Sequence, residues 1–299
     1  MNKLIITVLL LSISQVSMAQ KNDVIETIPF ELTTYNNILV DVVLNQKDTL
    51  ALMFHTAVSD VSLIKDVTKD LASISWNEQD TVSSWGGEST SRRSNKNDLA
   101  IGDFSQSNIP IWECEQSGRM SVGKFGPSLF EGKSIEVDFD QKVIKIYNSL
   151  PTKAANYEKL ELLNQNGSMF IQGTSILGKD SIWNIYLIHS GYSGSILYDD
   201  TFVQSNEKLK ELEVIKETEL KDSYGNIIKV KKSKLPSFLI GQHEFTNIPV
   251  GFFEGSVGRQ KMSVLGGDLL KRFNFILDAE HKYIYLKTNG LSSDPFSEL

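Results

Sequence analysis

Two histidines occupy matching positions in a repeated motif, and an imidazole can act near neutral pH as a base, a hydrogen-bond donor or a metal ligand. His55 lies in the segment FHTAVS (54–59), and His189 lies in IHSGYS (188–193), 134 residues further on. In both segments an apolar run ends on the histidine and small or polar residues follow. Because the chain has only four histidines, two at matching positions favour a paired site over random drift.

The rest of the chain repeats with nearly the same offset. The segment LAIG (99–102) matches FLIG (238–241) at an offset of 139, and residues 135–146 match residues 275–286 at an offset of 140. Offsets that drift in one direction over a long period, present only twice, indicate a duplicated domain and not a solenoid. The predicted organisation is an N-terminal lobe (20–150), a linker (151–156), a C-terminal lobe (157–290) and a loose tail (291–299).

Strand patterns dominate both halves. Residues 38–44 and 49–54 are β-branched or apolar, with a hairpin loop between them, and residues 143–147 and 283–287 follow polar turns. Helical periodicity is limited to about 61–73, with Asp60 as its expected N-cap, to 206–216, and to single turns near 129 and 269. The predicted fold class is therefore all-β, with two small domains in tandem.

The first residues have the pattern of a secretory signal. Lys3 precedes an apolar run from Leu4 to about Leu11, and the segment ends in small residues at Ser17 and Ala19. The apolar run is too short to span a bilayer as a permanent helix. We therefore expect a signal peptide over residues 1–19, a periplasmic or secreted protein, and no membrane span.

Charge and cysteine content exclude several partners and sites. The formal charge is −7, and it becomes about −8 when the leader and its lysine are removed, so nucleic acid and anionic membranes are poor partners. Cys114 is the only cysteine, which excludes an intrachain disulfide and a cysteine-clustered metal site. We expect Cys114 to be an inert, half-buried thiol.

The duplicated motif resembles the two-lobed aspartic proteases, in particular their compact bacterial, retropepsin-like members. Both halves carry a strand that runs into a Thr/Ser-containing turn, a hairpin, and a strand that ends in an apolar residue and glycine. The resemblance covers nearly the whole mature chain. It implies two pseudo-symmetric β-barrel lobes with a cleft between them.

The resemblance also implies roles for the residues around the histidines. Thr56 and Ser190 stand where hydroxyls reach across to the backbone of the opposite lobe, and Ser59 and Ser193 stand where hydroxyls steady the catalytic carboxylates. Phe125-Gly126 and Leu265-Gly266 match the apolar-Gly step under each catalytic loop. The flap hairpin that closes over bound peptide corresponds to Trp85, Gly86 and Gly87. In the second half, Tyr224 lies at the hairpin tip that corresponds to the flap.

The departure from the family lies at the two catalytic positions, because His55 and His189 stand where the aspartates should be, and Ala57 replaces a glycine. The aspartic mechanism needs two carboxylates about 3 Å apart that share one proton. Two adjacent imidazoles repel when charged, so their pKa values are displaced downward and both rings are neutral at pH 7. We therefore expect proteolysis at acid pH to be absent.

Three functional hypotheses follow. In the first, the fold is kept, proteolysis is lost, and the cleft binds a peptide or other extended ligand. In the second, His55 and His189 form a hydrolytic site, one as base and one as donor, or a metal site, although no third ligand is visible and neither a metal nor a cofactor is expected. In the third, the protein is structural and has no ligand, since a change from Asp to His needs only one base.

Overall fold

Strands make up almost all of the regular structure in the computed structural model, which describes residues 24–84, 87–254 and 262–297. In the first half the strands are β1 (Val24–Pro29), β2 (Glu31–Leu32), β3 (Ile38–Leu44), β4 (Asp48–Phe54), β5 (Val61–Ile64), β6 (Glu78–Ser84), β7 (Gly87–Ile101), β8 (Phe104–Cys114), β9 (Gly123–Phe125), β10 (Ser134–Asp138) and β11 (Val143–Tyr147). In the second half they are β12 (Glu158–Glu161), β13 (Leu163–Gln165), β14 (Ser168–Leu177), β15 (Asp180–His189), β16 (Ile196–Tyr198), β17 (Lys216–Lys221), β18 (Ile227–Ile240), β19 (His243–Glu254), β20 (Ser263–Gly266), β21 (Phe273–Leu277) and β22 (Tyr283–Thr288).

The helices of the described residues are short. They are α1 (Lys65–Thr68), α2 (Asp200–Gln204), α3 (Glu207–Lys210), α4 (Gly267–Leu270) and two 3₁₀ helices (Pro127–Phe130 and Thr152–Asn156). The expected single turns near 129 and 269 are therefore present. The all-β fold class is confirmed.

Each half closes into a six-stranded barrel. In the N-terminal lobe the strand order is β3-β4-β9-β5-β8-β7, and pairing of β3 with β7 closes the ring. In the C-terminal lobe the corresponding order is β14-β15-β20-β16-β19-β18, closed by pairing of β14 with β18. Since the two orders match strand for strand, the two lobes are pseudo-symmetric, as the internal repeat predicts.

A third sheet joins the lobes, with the order β1-β11-β10-β21-β22-β12. Its central pair is antiparallel and crosses between lobes, with Ile135 opposite Leu277 and Val137 opposite Phe275. All four side chains are buried. Hydrogen bonds and apolar packing at this sheet hold the two barrels together, so the cleft between them has a continuous base.

The hairpin of β3 and β4 leads directly to the first histidine. Its three-residue turn (45–47) contains Asn45 and Gln46 with φ values of 48° and 57°, the left-handed conformation that tight hairpin turns use. Leu52 and Phe54 on β4 are fully buried in the barrel, which fixes the direction in which the chain leaves the strand. The predicted strands 38–44 and 49–54 agree with β3 and β4 to within one residue.

The two longer predicted helices are wrong. Residues 61–64 form β5, which pairs with β8 and β9 and buries Val61 and Leu63, so tertiary pairing overrides the helical periodicity. Asp60 is consequently not an N-cap, because α1 begins only at Lys65. The second predicted helix, 206–216, shrinks to the four residues of α3, and β17 begins at Lys216.

The tail also differs from its expectation over residues 291–297. The buried guanidinium of Arg272 donates hydrogen bonds to four backbone carbonyls between residues 291 and 295 and stacks on the ring of Phe296, 3.7 Å from its centroid. The amide of Ser297 donates to Asp268. These contacts fasten this segment to the C-terminal lobe. The predicted linker, 151–156, contains the second 3₁₀ helix.

The predicted signal peptide lies outside the described residues. Over the residues that are described, no helix has the length and apolar character needed to cross a membrane.

Candidate functional site

The two motif histidines meet between the lobes. His55 follows the last residue of β4, and His189 is the last residue of β15, so equivalent barrel strands deliver the two imidazoles to one point. Their ring centroids are 4.4 Å apart with an interplanar angle of 58°. Both residues are buried, with exposed fractions of 6% and 8%. The structure therefore brings together the two residues that the repeat singles out.

Burial and charge keep both rings neutral. The pKa of His55 lies well below its usual value because burial disfavours the cation, and because His189 and Lys124 add repulsion. Burial, with repulsion from Lys124, lowers the pKa of His189 to about 3. The amide of Ala57 donates to Nδ1 of His55 over 3.2 Å, so the proton of the neutral His55 ring lies on Nε2. The lowered pKa values of both histidines agree with the downward displacement expected for adjacent imidazoles.

Hydroxyls cross between the lobes directly beside the histidines. The hydroxyl of Thr56 donates to the carbonyl of Ile188 over 2.8 Å and accepts from the amide of Ser190 over 3.0 Å. The hydroxyl of Ser190 does the reverse, donating to the carbonyl of Phe54 over 2.8 Å and accepting from the amide of Thr56 over 3.0 Å. The cross-lobe contact that the resemblance implies for Thr56 and Ser190 is present on both sides.

Ser59 and Ser193 enter the hydrogen-bond network through their carbonyl oxygens. Ser128 donates to the carbonyl of Ser59, and the side chain of Asn36 donates to the carbonyl of Ser193 over 2.8 Å. The implied role of the two serine hydroxyls in steadying the paired groups stays a prediction.

Three glycines leave room for the loops that carry the histidines. A Cβ at Gly126 would lie 1.7 Å from the carbonyl oxygen of Val58, and one at Gly266 would lie 2.2 Å from that of Gly194. A Cβ at Gly191 would lie 2.3 Å from Nε2 of His55, so the His55 ring rests directly on this backbone. The apolar-Gly steps thus pack under the loops as the resemblance implies.

The predicted flap is only partly described. Strands β6 and β7 form its two arms, and the turn at Trp85 and Gly86 lies outside the described residues. Gly87 begins β7. The proposed closure of this hairpin over a ligand stays a prediction.

The corresponding hairpin of the C-terminal lobe bridges the cleft. Its tip (residues 222–226, the C-terminal hairpin tip) presents the carbonyl of Ser223 to the amides of Glu115 and Gln116, at 2.9 and 3.1 Å. The Gln116 side chain donates to the carbonyl of Asp222 over 2.6 Å. Tyr224, predicted as a hairpin-tip residue, lines the cleft, and burial raises its pKa to about 12.

Lys124 is the site residue that the sequence analysis missed. It lies on β9, has an exposed fraction of 8%, lines the cleft, and donates a hydrogen bond from Nζ to the hydroxyl of Ser223. The detectable signal was a lysine directly before the apolar-Gly step, where the second half has Val264. Cys114, near this lysine, is fully buried and not half-buried as expected, and burial raises its pKa, in keeping with an inert thiol.

The cleft is large and is lined by both lobes. Its volume is about 1270 Å³, and its lining includes His55, Lys124, His189, Tyr192 and Tyr224. Ligand pockets for small molecules are typically about 300–1,000 Å³, so this space suits a longer ligand. Among the described residues no group of three His, Cys, Asp or Glu side chains is placed to hold a metal ion.

Comparison with known proteins identifies the fold. The crystal structure of an aspartic proteinase from Irpex lacteus superposes with a TM-score of 0.60 and 12% sequence identity, covering 91% of this chain and 99% of that chain. No family model matches the chain, and no curated protein matches it. At this level of identity the likeness establishes a two-lobed, aspartic-proteinase-like β-fold.

Proposed function

We propose that the protein binds a peptide or similar extended ligand in the interlobe cleft and does not cleave it by the aspartic mechanism. The observation that carries this proposal is the buried pair of neutral imidazoles at the point where the two lobes meet. The fold is like that of an aspartic proteinase, and the cross-lobe hydroxyl contacts are those that the family resemblance implies, whereas the acid pair is absent from both motifs.

The chemistry of the pair argues against acid proteolysis. An aspartic dyad works because one carboxylate holds a proton that its neighbour lacks, so the two can act as acid and base together. In His55 and His189 both pKa values are lowered, because burial and repulsion from Lys124 disfavour even one positive charge on the pair. The pair therefore lacks an acidic member that could transfer a proton to a substrate carbonyl.

The cleft itself supports binding. The cleft, with a volume of about 1270 Å³, is lined by both lobes and can hold several peptide residues. Its walls present both apolar and polar groups. The predicted secretory leader supports a periplasmic or extracellular setting, where peptides and unfolded segments would be available ligands.

The alternative is a histidine-based hydrolase or metal site, and the geometry supports it less. A base with a pKa of about 3, as for His189, is a weak proton acceptor at neutral pH. A catalytic zinc site normally has three protein ligands, and the described residues place only two imidazoles at this point. Only the close approach of the two rings favours this alternative.

The decisive experiment is mass spectrometry of whatever co-purifies with the mature chain from its native envelope fraction. We expect bound peptides, and we expect the matched His55→Ala/His189→Ala variant to retain them because the walls of the cleft supply the contacts. Loss of the ligand only in the double variant would favour the histidine-based site. Recovery of no peptide with either protein would contradict the proposed function.

A further inference from the structure

Lys124 lies beside the histidine pair, and peptide binding alone gives it no role. The carbonyl of its neighbour Phe125 accepts the amide of His55 over 2.9 Å, so the lysine is one residue from the strand contact that positions the first imidazole. Its ammonium lowers the pKa of both histidines. A cation therefore sits within electrostatic reach of the centre of the cleft.

This cation has no carboxylate partner at ion-pair distance among the described residues, and its recorded partner is the neutral hydroxyl of Ser223. Asp222 is near enough to influence it, but that carboxylate accepts hydrogen bonds from the amides of Tyr224 and Asn226 and from the Asn226 side chain. Burial of an ammonium without a counter-ion is unfavourable, and burial accordingly lowers the pKa of Lys124. A bound anion would remove this penalty.

The internal repeat indicates that the fold does not need a charge here. Lys124 pairs across the barrel wall with Ser62, and in the other lobe the equivalent pair is Val264 and Leu197. Both of these residues belong to one buried apolar cluster. Because the same strand position packs well with hydrocarbon, the lysine is an addition to the cleft and not a requirement of the barrel.

We propose that Lys124 is a specificity-determining residue that binds an acidic side chain of the peptide held in the cleft. The inference rests on the proposed function and adds the chemical class of the ligand. A carboxylate placed against Nζ accepts a charge-assisted hydrogen bond in a water-poor setting, where such bonds are strong. The Ser223 hydroxyl then remains as a second donor to the same carboxylate.

The test uses positional-scanning hexapeptide pools passed over the immobilised full mature chain. We expect pools with Glu or Asp fixed at one position to be retained on the order of tenfold better than the matching Gln or Asn pools. The preference should disappear in Lys124→Met and persist in Lys47→Met, which removes an equal charge from an exposed turn. Both variants should fold, since replacing a buried charge by an apolar side chain is often stabilising, and circular dichroism checks this.

Different failures separate the two proposals. Peptides retained without an acidic preference, or with a preference that Lys124→Met leaves intact, overturn the role of Lys124 and leave peptide binding standing. If no pool is retained, peptide binding fails, and N-acetyl-glutamate amide is compared with N-acetyl-glutamine amide by NMR titration. A Lys124-dependent preference for the glutamate compound supports the anion site on its own, and its absence overturns it.

Discussion

At positions 55 and 189, each imidazole is held by backbone that the opposite lobe helps to fix. The Thr56 and Ser190 hydroxyls tie the two loops together, and Gly191 leaves the space into which the His55 ring fits. The rings are therefore enclosed by the fold. At acid pH this burial destabilises the folded protein, because a buried imidazole resists protonation whereas an imidazole in the unfolded chain is protonated readily.

The burial of His189 therefore predicts that the stability of the protein depends on pH. The folded pKa of His189 is about 3, below the unfolded value of about 6.5, so the unfolded chain binds more protons between these values. The contribution of His189 to the free energy of unfolding is therefore fully present above about pH 6.5 and is lost as the pH is lowered. Between pH 6.5 and pH 4, His189 should remove about 3 kcal/mol from the free energy of unfolding.

Urea unfolding at the two pH values, on the wild type and on His189→Gln, measures this difference. We expect the variant to lose about 3 kcal/mol less than the wild type on acidification. Equal losses in the two proteins would show that His189 takes up its proton in the folded state.

At the scale of single elements, the apolar-Gly steps position the loops. Gly126 directly follows β9 and packs against the loop of residues 55–59, where the carbonyl of Val58 occupies the space that a side chain would need. Gly132, by contrast, has a left-handed backbone conformation, with φ of 70°, and has open space where a Cβ would lie. The two glycines therefore separate the cost of crowding from the cost of a left-handed conformation.

We predict that Gly126→Ala destabilises the protein by about 3 kcal/mol or more, because the alanine must displace backbone. Gly132→Ala should cost only about 1 kcal/mol, from its positive φ. Thermal or urea unfolding of both variants tests the comparison. Similar losses for the two substitutions would mean that the Val58 loop moves freely and is not fixed by the glycine.

Element boundaries show what a sequence can and cannot predict here. The hairpin of β3 and β4 was predictable because runs of β-branched and apolar residues and a polar turn between them are local signals. The segment 61–64 was not, because its helical periodicity is local while its pairing with β8 and β9 is long-range. The role of Lys124 was not predictable for the same reason, because its hydrogen-bond partner, Ser223, lies 99 residues away in the chain.

At the scale of the whole molecule, two equivalent barrels share one sheet and one pair of crossed hydroxyl contacts. The meeting of His55 and His189 was predictable from the repeat, since equivalent loops of a two-fold arrangement lie opposite each other. The contact of the C-terminal hairpin tip with the N-terminal lobe and the fastening of residues 291–297 by Arg272 were not, because no local sequence pattern signals these contacts.

The crossed hydroxyls should contribute measurably to the union of the lobes. Thr56→Val keeps the shape of the side chain but removes a donor and an acceptor, leaving the amide of Ser190 and the carbonyl of Ile188 without these partners. We expect a loss of about 2 kcal/mol in the free energy of unfolding. Thr49→Val on the exposed face of β4 is the matched control and should change stability by less than about 0.5 kcal/mol. Equal effects would argue against a structural role for the crossed contacts.

The central claim is that this protease-like fold binds without cutting, and one measurement tests it most directly. The mature chain is incubated with unfolded casein at several values between pH 3 and pH 6, with and without a transition-state-analogue inhibitor of aspartic proteases, and the products are identified by mass spectrometry. Circular dichroism at each pH establishes that the chain is folded. We predict intact casein in every folded sample, whereas fragments that disappear when the inhibitor is added would contradict the claim.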